Sequence, residues 1–378
     1  HSLPAKGIAC LNWEILPPDA RAKTAEDRKY NGWLETLIAW NPDVIICDEF
    51  HLHTGDFASN RSKALVKLAK GRQFIPMSGS PMRTRPAQLF TVLHLLDPDQ
   101  FANQFRFQNK YCGPRYGFGG RMVYDGASNV EELHTKFRDI GIRYTKEEVL
   151  KDLPDRIYNP VLMECTVSDA YRDAQERLLS LQGVQVGLLK ERLQALTASA
   201  FTEKQDAVLE WLTEFLESGK KLVLFCWHVA VADFLEAHLG NQCVRANRKD
   251  REAVVQRFVK DPSCKVILGN ISALGTGVDG LQEVCSDVAF AECCWSPSDM
   301  DQASSRLHRS GQKGCVTVHF LIAQGTIDEV QLEALDTRGN SLGMIVDGKP
   351  LAEEERVFNA AAASRPSPVS RSGAGRRG

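Results

Sequence analysis

Short apolar runs alternate with helical patterns over residues 202–335, and that alternation leaves few folds open. Residues 221–225, 243–246, 265–269, 287–291 and 316–322 read as strands, and 229–239, 251–260, 297–309 and 327–335 read as helices. Strands separated by helices at this interval specify a parallel sheet with helices on both faces, the α/β class. A second such stretch spans residues 8–96. Its clearest strand, 43–47, holds Val44, Ile45, Ile46 and Cys47, an unbroken apolar run expected to be buried on both faces. A polar helix at 61–70, a strand at 73–77 and a helix at 87–96, stopped by Asp97 and Pro98, follow it. Residues 99–200 differ, with an aromatic, Gly-rich patch at 111–120 and a charged helical stretch at 168–196. They read as a mostly helical insertion between two α/β lobes. The expected division is therefore 1–100, 101–200, 201–340 and a terminal extension, 341–378.

Composition narrows the function classes. The 378 residues carry 46 Lys+Arg against 48 Asp+Glu, a net charge of −2, with 43% hydrophobic and 25% charged residues. That excludes collagen-like, coiled-coil and wholly disordered chains. Any nucleic acid must be held by a local basic surface, because the chain has no overall positive charge. The 11 cysteines form no CxxC pair, which fits reduced thiols in a cytoplasmic or nuclear protein, not a secreted disulfide framework or a zinc site. No apolar run approaches the length of about 18 residues that spans a bilayer, so no membrane partner is expected. The first residues lack the layout of a signal peptide. The chain begins with His1 rather than Met, and it is expected to be a fragment or a processed product. The tail, 364–378, has four Arg and no acid, and is expected to be disordered.

Four motifs carry chemistry. Asp48-Glu49-Phe50-His51 directly follows the apolar strand, which places two carboxylates at the carboxyl edge of a sheet, where α/β proteins bind ligands. One carboxylate there can hold Mg²⁺ through its water shell, and the next can orient an attacking water. Ser78-Gly79-Ser80-Pro81 is a tight turn after a strand. In Gly275-Thr276-Gly277-Val278-Asp279-Gly280 the glycines let the backbone approach a phosphate or ribose, and Asp279 is placed to accept a ribose hydroxyl. The fourth is Gln302-x-x-x-Arg306-x-x-Arg309-x-Gly311-Gln312. Its two Arg, three apart, are expected to share a helical face and to suit a transferring phosphoryl group. Five fixed residues at these offsets arise by chance in roughly one such chain per ten thousand.

Taken in order, these segments resemble the Snf-type branch of superfamily-two helicase-like ATPases. Residues 48–51 resemble its motif II, 78–81 with Gln88-Leu89-Phe90 its motif III, 221–225 its motif IV, 275–282 its motif V and 302–312 its motif VI. Asn12-Trp13-Glu14 resembles the segment ahead of motif II. Tyr111-Cys112, Gly126-Ala127-Ser128-Asn129, Glu132-Leu133, 143–146 and Leu153-Pro154 are similar to the annealing-helicase subgroup, although Tyr144 stands where that pattern usually has Arg and Ser310 where motif VI often has Ile.

The resemblance implies two RecA-like parallel-sheet lobes, ATP with Mg²⁺ as cofactors, and DNA as a partner held by its phosphate backbone with little sequence specificity. It assigns Asp48 to Mg²⁺ through water, Glu49 to activation of the attacking water, and Arg306 and Arg309 to the γ-phosphate. Gly277, Asp279 and Gln302 would contact the nucleotide, and His51, Ser78, Gly79 and Ser80 would couple hydrolysis to movement along DNA. The family's GxxxxGK[ST] phosphate loop is absent from these 378 residues, so the first lobe is expected to be incomplete and this chain alone inactive. The loop is then supplied by a segment upstream of His1 or by a separate chain. The alternative is a non-catalytic DNA- or protein-binding module on a degenerate ATPase scaffold. The reading frame upstream of His1 discriminates between them: an encoded phosphate loop is expected there, and a start codon directly before His1 with no such loop favours the alternative.

Overall fold

In the computed structural model, Val44–Cys47 forms strand β1 and Gln73–Pro76 forms β2, paired in parallel with Ile46 opposite Ile75. The structure describes residues 3, 6–16, 33–117, 120–179, 186–246, 250–274, 279–351 and 356, so the tail at 364–378 and Gly277 lie outside the described residues. The chain divides into two compact units. The first combines 1–151 with 295–299 and 337–351, and the second combines 152–294, 300–336 and 352–378.

In the first unit, side chains alternate across β1 and β2 with the period of two that pleating imposes. Ile45 packs on Leu34, Leu37, Ala64 and Leu68 of the helices Leu34–Trp40 and Asn60–Ala69. Cys47 and Phe74 join Phe50, Leu65, Phe90 and Leu93. The opposite face is not covered as the unbroken apolar run predicts: Val44 is 42%, Ile46 64% and Ile75 42% exposed. The reason is geometric. Among the described residues this sheet has two strands, and the helices pack on the face of Ile45, Cys47 and Phe74.

Residues 101–151, expected in a separate insertion, build this same unit. Phe101, Phe107, Tyr111, Cys112 and Leu133 share one core with Phe90 and Leu93. A two-stranded antiparallel hairpin, β3 (Arg115–Tyr116) and β4 (Met122–Val123), projects between the helices Gln104–Tyr111 and Val130–Ile140. The helix Ile327–Val346 runs well past the expected end at 335, and its last turn buries Ile345 in the same core.

The second unit holds a six-stranded sheet of β5 (Arg156–Met163), β6 (Leu222–Cys226), β7 (Cys243–Arg245), β8 (Val266–Asn270), β9 (Asp287–Phe290) and β10 (Val316–Ala323). All pairs are parallel, in the order β5-β10-β9-β6-β8-β7. Central β6 is buried along its whole length. Val223 and Phe225 face a core closed by Val255, Phe258, Met300 and Leu332, while Leu222, Leu224 and Cys226 face Phe201, Val208, Leu212 and Leu235. On the first of these faces an aromatic row crosses four neighbouring strands: Phe225 on Phe290 at 5.2 Å, Phe290 on Phe320 at 5.4 Å, and Phe320 on Tyr158 at 5.9 Å.

Strand β5 was hidden in the sequence inside the expected helical insertion. Its Pro160 argues against a strand because it donates no ladder hydrogen bond, and it is tolerated because β5 is an edge strand paired only with β10. The sheet unit thus begins at about residue 152, not at 201.

One buried charge pins this unit. Lys204 is 1% exposed, and its ammonium donates to Asp328 Oδ2 at 2.7 Å and to the Leu321 carbonyl, while the backbone N–H of Ala323 donates to the same carboxylate at 3.1 Å. Removing only the cation strands a buried anion. Lys204→Ala is expected to cost about 3–5 kcal/mol of unfolding free energy in urea titrations followed by circular dichroism. The Lys204→Met, Asp328→Leu double variant is expected to lose far less, and equal losses would show that packing rather than charge compensation dominates.

Candidate functional site

In the first unit, the segments 48–51 and 78–81 meet through the β1–β2 pairing. The ladder continues past both strands, with the Met77 N–H donating to the Cys47 carbonyl at 2.8 Å and the Phe50 N–H to the Met77 carbonyl at 3.3 Å. This brings Ser78 beside His51. The His51 ring is buried, its Nδ1 lies 2.6 Å from Ser78 Oγ and 3.3 Å from Glu49 Oε2, and its Nε2 is buried with no hydrogen-bond partner. A buried nitrogen without an acceptor is best left bare, so the ring proton sits on Nδ1 and is donated. Ser78 Oγ also accepts from the Ser80 N–H at 3.0 Å, which leaves its hydroxyl proton for Glu49 Oε2 at 3.4 Å. The result is a directed chain from His51 through Ser78 to Glu49. Burial, with the Arg83 guanidinium next in weight, lowers the His51 pKa to about 4, so the ring is neutral near pH 7.

Glu49 itself adopts φ +46°, in the left-handed region that costs a non-glycine residue of order 1 kcal/mol. The Glu49 N–H donates to Asp48 Oδ1 at 3.0 Å, and Trp13 Nε1 donates to the Asp48 carbonyl at 3.3 Å while its ring stacks on His53 at 5.0 Å. Asp48 is exposed at the end of β1. Gly79 offers its carbonyl to Arg143 Nη1 at 3.1 Å, and Arg143 also pairs with Asp347 at 2.8 Å. Arg143 had no role in the sequence reading beyond its likeness to the subgroup. Gln88 is a second addition: its Oε1 accepts from the backbone N–H groups of Arg83 and Thr84 at 3.1 and 2.9 Å, fixing the loop after Ser80. Arg83 in turn forms a two-pronged pair with Asp299.

In the second unit, Asp279 and Arg309 come together, with Oδ1 and Nη1 3.4 Å apart. The Gly280 N–H donates to the Asp279 carboxylate at 2.9 Å and Gln282 Nε2 at 3.2 Å; these bonds, and then the Arg309 and Arg306 charges, hold its pKa below the usual range. Gln302 is half-buried in the helix Pro297–Ser304. The shared helical face expected for Arg306 and Arg309 is not formed. The helix stops at Ser304, and both Arg lie in the turn that follows, where the Arg306 N–H reaches the Ala303 carbonyl and the Arg309 N–H the Leu307 carbonyl. The turn is set by Gly311 at φ +93° and by Gln312, whose Nε2 donates to the Cys285 carbonyl at 3.0 Å and whose Oε1 accepts from the Lys313 and Gly314 N–H groups. Gln312 is therefore a clamp on the loop that carries the arginines.

Sequence reasoning missed a buried carboxylate beyond β9. Glu292 accepts from the N–H groups of Trp227 and His228 at 3.0 and 2.9 Å and pairs with His228 Nδ1 at 2.7 Å, closing the loop after β6. Its signal was present: an acid just past an apolar strand run, as at Asp48. Among the described residues, no group of three His, Cys, Asp or Glu converges on one point, and no helix is long and apolar enough to cross a membrane.

Residues 14–222 match the SNF2-related domain, and residues 203–311 match the helicase conserved C-terminal domain. The DNA annealing helicase and endonuclease ZRANB3 of Mus musculus is 29% identical over 366 residues, 92% of this chain and 33% of that protein. The Homo sapiens protein of the same name is 30% identical over 361 residues, 90% of this chain and 32% of that protein. The Caenorhabditis elegans homolog of SWI/SNF-related matrix-associated actin-dependent regulator of chromatin subfamily A-like protein 1 is 31% identical over 324 residues, 80% of this chain and 45% of that protein. The chain thus spans less than half the length of these relatives. A solved Sulfolobus solfataricus SWI2/SNF2 ATPase core in complex with dsDNA has a TM-score of 0.41 and 22% identity, covering 81% of this chain and 69% of that one.

The neutral, buried His51 makes the first unit sensitive to acid. Its folded pKa of about 4 lies below the unfolded value of 6.5, so the unfolded chain binds the extra proton. Stability from this residue is complete above pH 6.5, falls as the pH drops below that, and is lost at about pH 4, with a slope approaching roughly 1.4 kcal/mol per pH unit between those limits. Urea midpoints are expected to fall between pH 7 and pH 5, and His51→Gln is expected to flatten that fall; an unchanged pH profile would show that His51 is not the titrating group.

Proposed function

The chain belongs to the SNF2-related family of helicase-like ATPases, and we propose that it is the part of an ATP-driven DNA translocase that orients the attacking water and neutralises the transferred phosphoryl group. Mg²⁺-bound ATP supplies that group. Asp48 suits the ion: it is an exposed carboxylate at a strand end, a hard oxygen donor whose Oδ1 is already fixed by the Glu49 N–H. Glu49 orients the water and receives its proton. The His51–Ser78 chain donates toward Glu49 Oε2, which restrains the carboxylate. Arg306 and Arg309 stabilise the charge that develops on the phosphoryl oxygens, and Asp279 holds Arg309 in readiness.

The single observation that carries this reading is the coupled arrangement of Glu49, His51 and Ser78. A carboxylate in a left-handed backbone conformation, tied to a buried neutral imidazole through a hydroxyl, is held in one orientation although its side chain is 44% exposed, and that orientation suits a base. The same Ser78 loop carries Gly79 and Ser80 and is fixed by Gln88 and Arg143, so a change at the carboxylate reaches the loop directly. DNA is the partner this family reading supplies, held through its phosphates and therefore with salt-dependent affinity. Along a duplex, this machinery moves or rewinds DNA.

Two substitutions, each read in a form of the protein that hydrolyses ATP in the presence of DNA, test the roles. Glu49→Gln is expected to lower DNA-stimulated ATP turnover by about 10²–10⁴ with nucleotide affinity retained. Arg309→Ala is expected to lower it by roughly 10³–10⁵ while DNA affinity stays within about two-fold. Parallel loss of DNA binding in the Arg309 variant would assign that residue to the DNA contact or to the fold. Unchanged turnover in the Glu49 variant would remove it from catalysis.

A further inference from the structure

The hairpin β3–β4 carries none of the residues assigned to the ATPase machinery. Its root is rigid. Gly113 sits at φ +52°, and a Cβ there would meet Gly126 Cα and Ala127 N at 3.0 Å. The Gly126 N–H donates to the Cys112 carbonyl at 3.2 Å, the Ser128 N–H to the Tyr111 carbonyl at 3.0 Å, and the Gly113 N–H to Ser128 Oγ at 3.0 Å. Tyr111 and Cys112 are buried in the core of the first unit, and Arg115 locks the stem through two bonds to Asp125, at 3.1 and 2.7 Å. What this root presents is apolar. Tyr116 pairs with Met122, so the two side chains stand on one face, where Tyr116 is 80% and Met122 39% exposed. Among the described residues, no ring contact covers Tyr116.

Charge identifies the occupant. Residues 100–124 carry Arg106, Lys110, Arg115 and Arg121; Arg115 pairs with Asp125 and Lys110 with Glu132, so Arg106 and Arg121, both exposed, are the cations offered to a ligand. Arg121 is exposed and directly precedes Met122. An exposed aromatic ring on a preorganised mount, with cations alongside, is the arrangement that binds single-stranded nucleic acid by base stacking and phosphate contact. The geometry points to a nucleobase-stacking site on this hairpin: Tyr116, flanked by Met122, takes an unpaired base of single-stranded DNA, and Arg121 faces the neighbouring phosphate. The site rests on the reading of DNA as the ligand and is independent of ATP hydrolysis. It would hold an unpaired strand at a junction while the motor acts on the duplex.

The test uses the whole 378-residue chain. Fluorescence anisotropy at low salt measures its affinity for a labelled thymidine homopolymer of about 20 nucleotides, longer than one stacking site needs, and for a duplex of equal length. Tyr116→Ala, at an exposed position that leaves the fold intact, is expected to weaken single-strand binding about ten-fold and duplex binding less than about two-fold. Tyr116→Phe is expected to restore the affinity, because the ring and not the hydroxyl does the stacking. A 2-aminopurine base in the oligonucleotide is expected to be quenched by the parent and the Phe variant but not by the Ala variant. Arg121→Ala is expected to weaken both ligands and to reduce the salt slope. Single-strand binding that ignores Tyr116→Ala, or that falls in step with duplex binding, overturns the stacking site. Binding of duplex with none of the homopolymer overturns it as well, while the DNA reading stands. Binding of neither DNA by the parent removes the DNA reading itself.

Discussion

The second unit depends on one constraint: a strand with no polar side chain must be hidden on both faces and paired on both edges. Leu222–Cys226 meets it with β8 on one side and β9 on the other, and with a packed layer above and below. Backbone amides inside such a strand lose water completely, so their ladder bonds are obligatory, and side-chain alternation then decides which residues each layer must fit. The aromatic row from Phe225 to Tyr158 follows from that register, because parallel pairing places Phe225, Phe290, Phe320 and the edge residue Tyr158 on a common face.

The same sequence device serves two purposes. Asp48 follows the apolar run of β1 and Glu292 follows that of β9. Asp48 lies at the end of β1, which among the described residues has one partner strand, and its side chain is exposed. Glu292 lies beyond a strand flanked by β6 and β10, where it is buried, and it spends its oxygens on the loop after β6. An acid past a strand therefore marks a carboxyl edge, and the depth of the surrounding sheet decides whether it stays exposed or is buried.

Much of the fold was legible because its signals are local. The helices Val229–Leu239 and Arg251–Lys260 coincide with the residues expected to be helical, and five of the six strands of the second unit, all but β5, lie within a residue or so of their expected positions. Of the site, the coupling of residues 48–51 to 78–81 was legible as a pattern, since both segments follow strands. What was not legible depends on partners far along the chain. Pro160 disguised an edge strand that only β10 makes necessary. Helical spacing placed Arg306 and Arg309 on one face, but Gln312, bonded to the Cys285 carbonyl, holds them in a turn instead. Gln88 and Arg143 have ordinary sequence surroundings, and their work is visible only where Arg83, Thr84 and Gly79 offer backbone groups to them.

The sequence by itself determined the α/β class and the family likeness, because apolar periodicity and fixed-offset motifs are written in neighbouring residues. Tertiary structure alone decided that β1 is open on one face, that residues 101–151 join the first unit, and that a hairpin rooted on Gly113 and Gly126 displays Tyr116. It also set His51 Nδ1 against Ser78 Oγ and buried the other ring nitrogen, because that burial is a property of the packed core and not of any short stretch of chain.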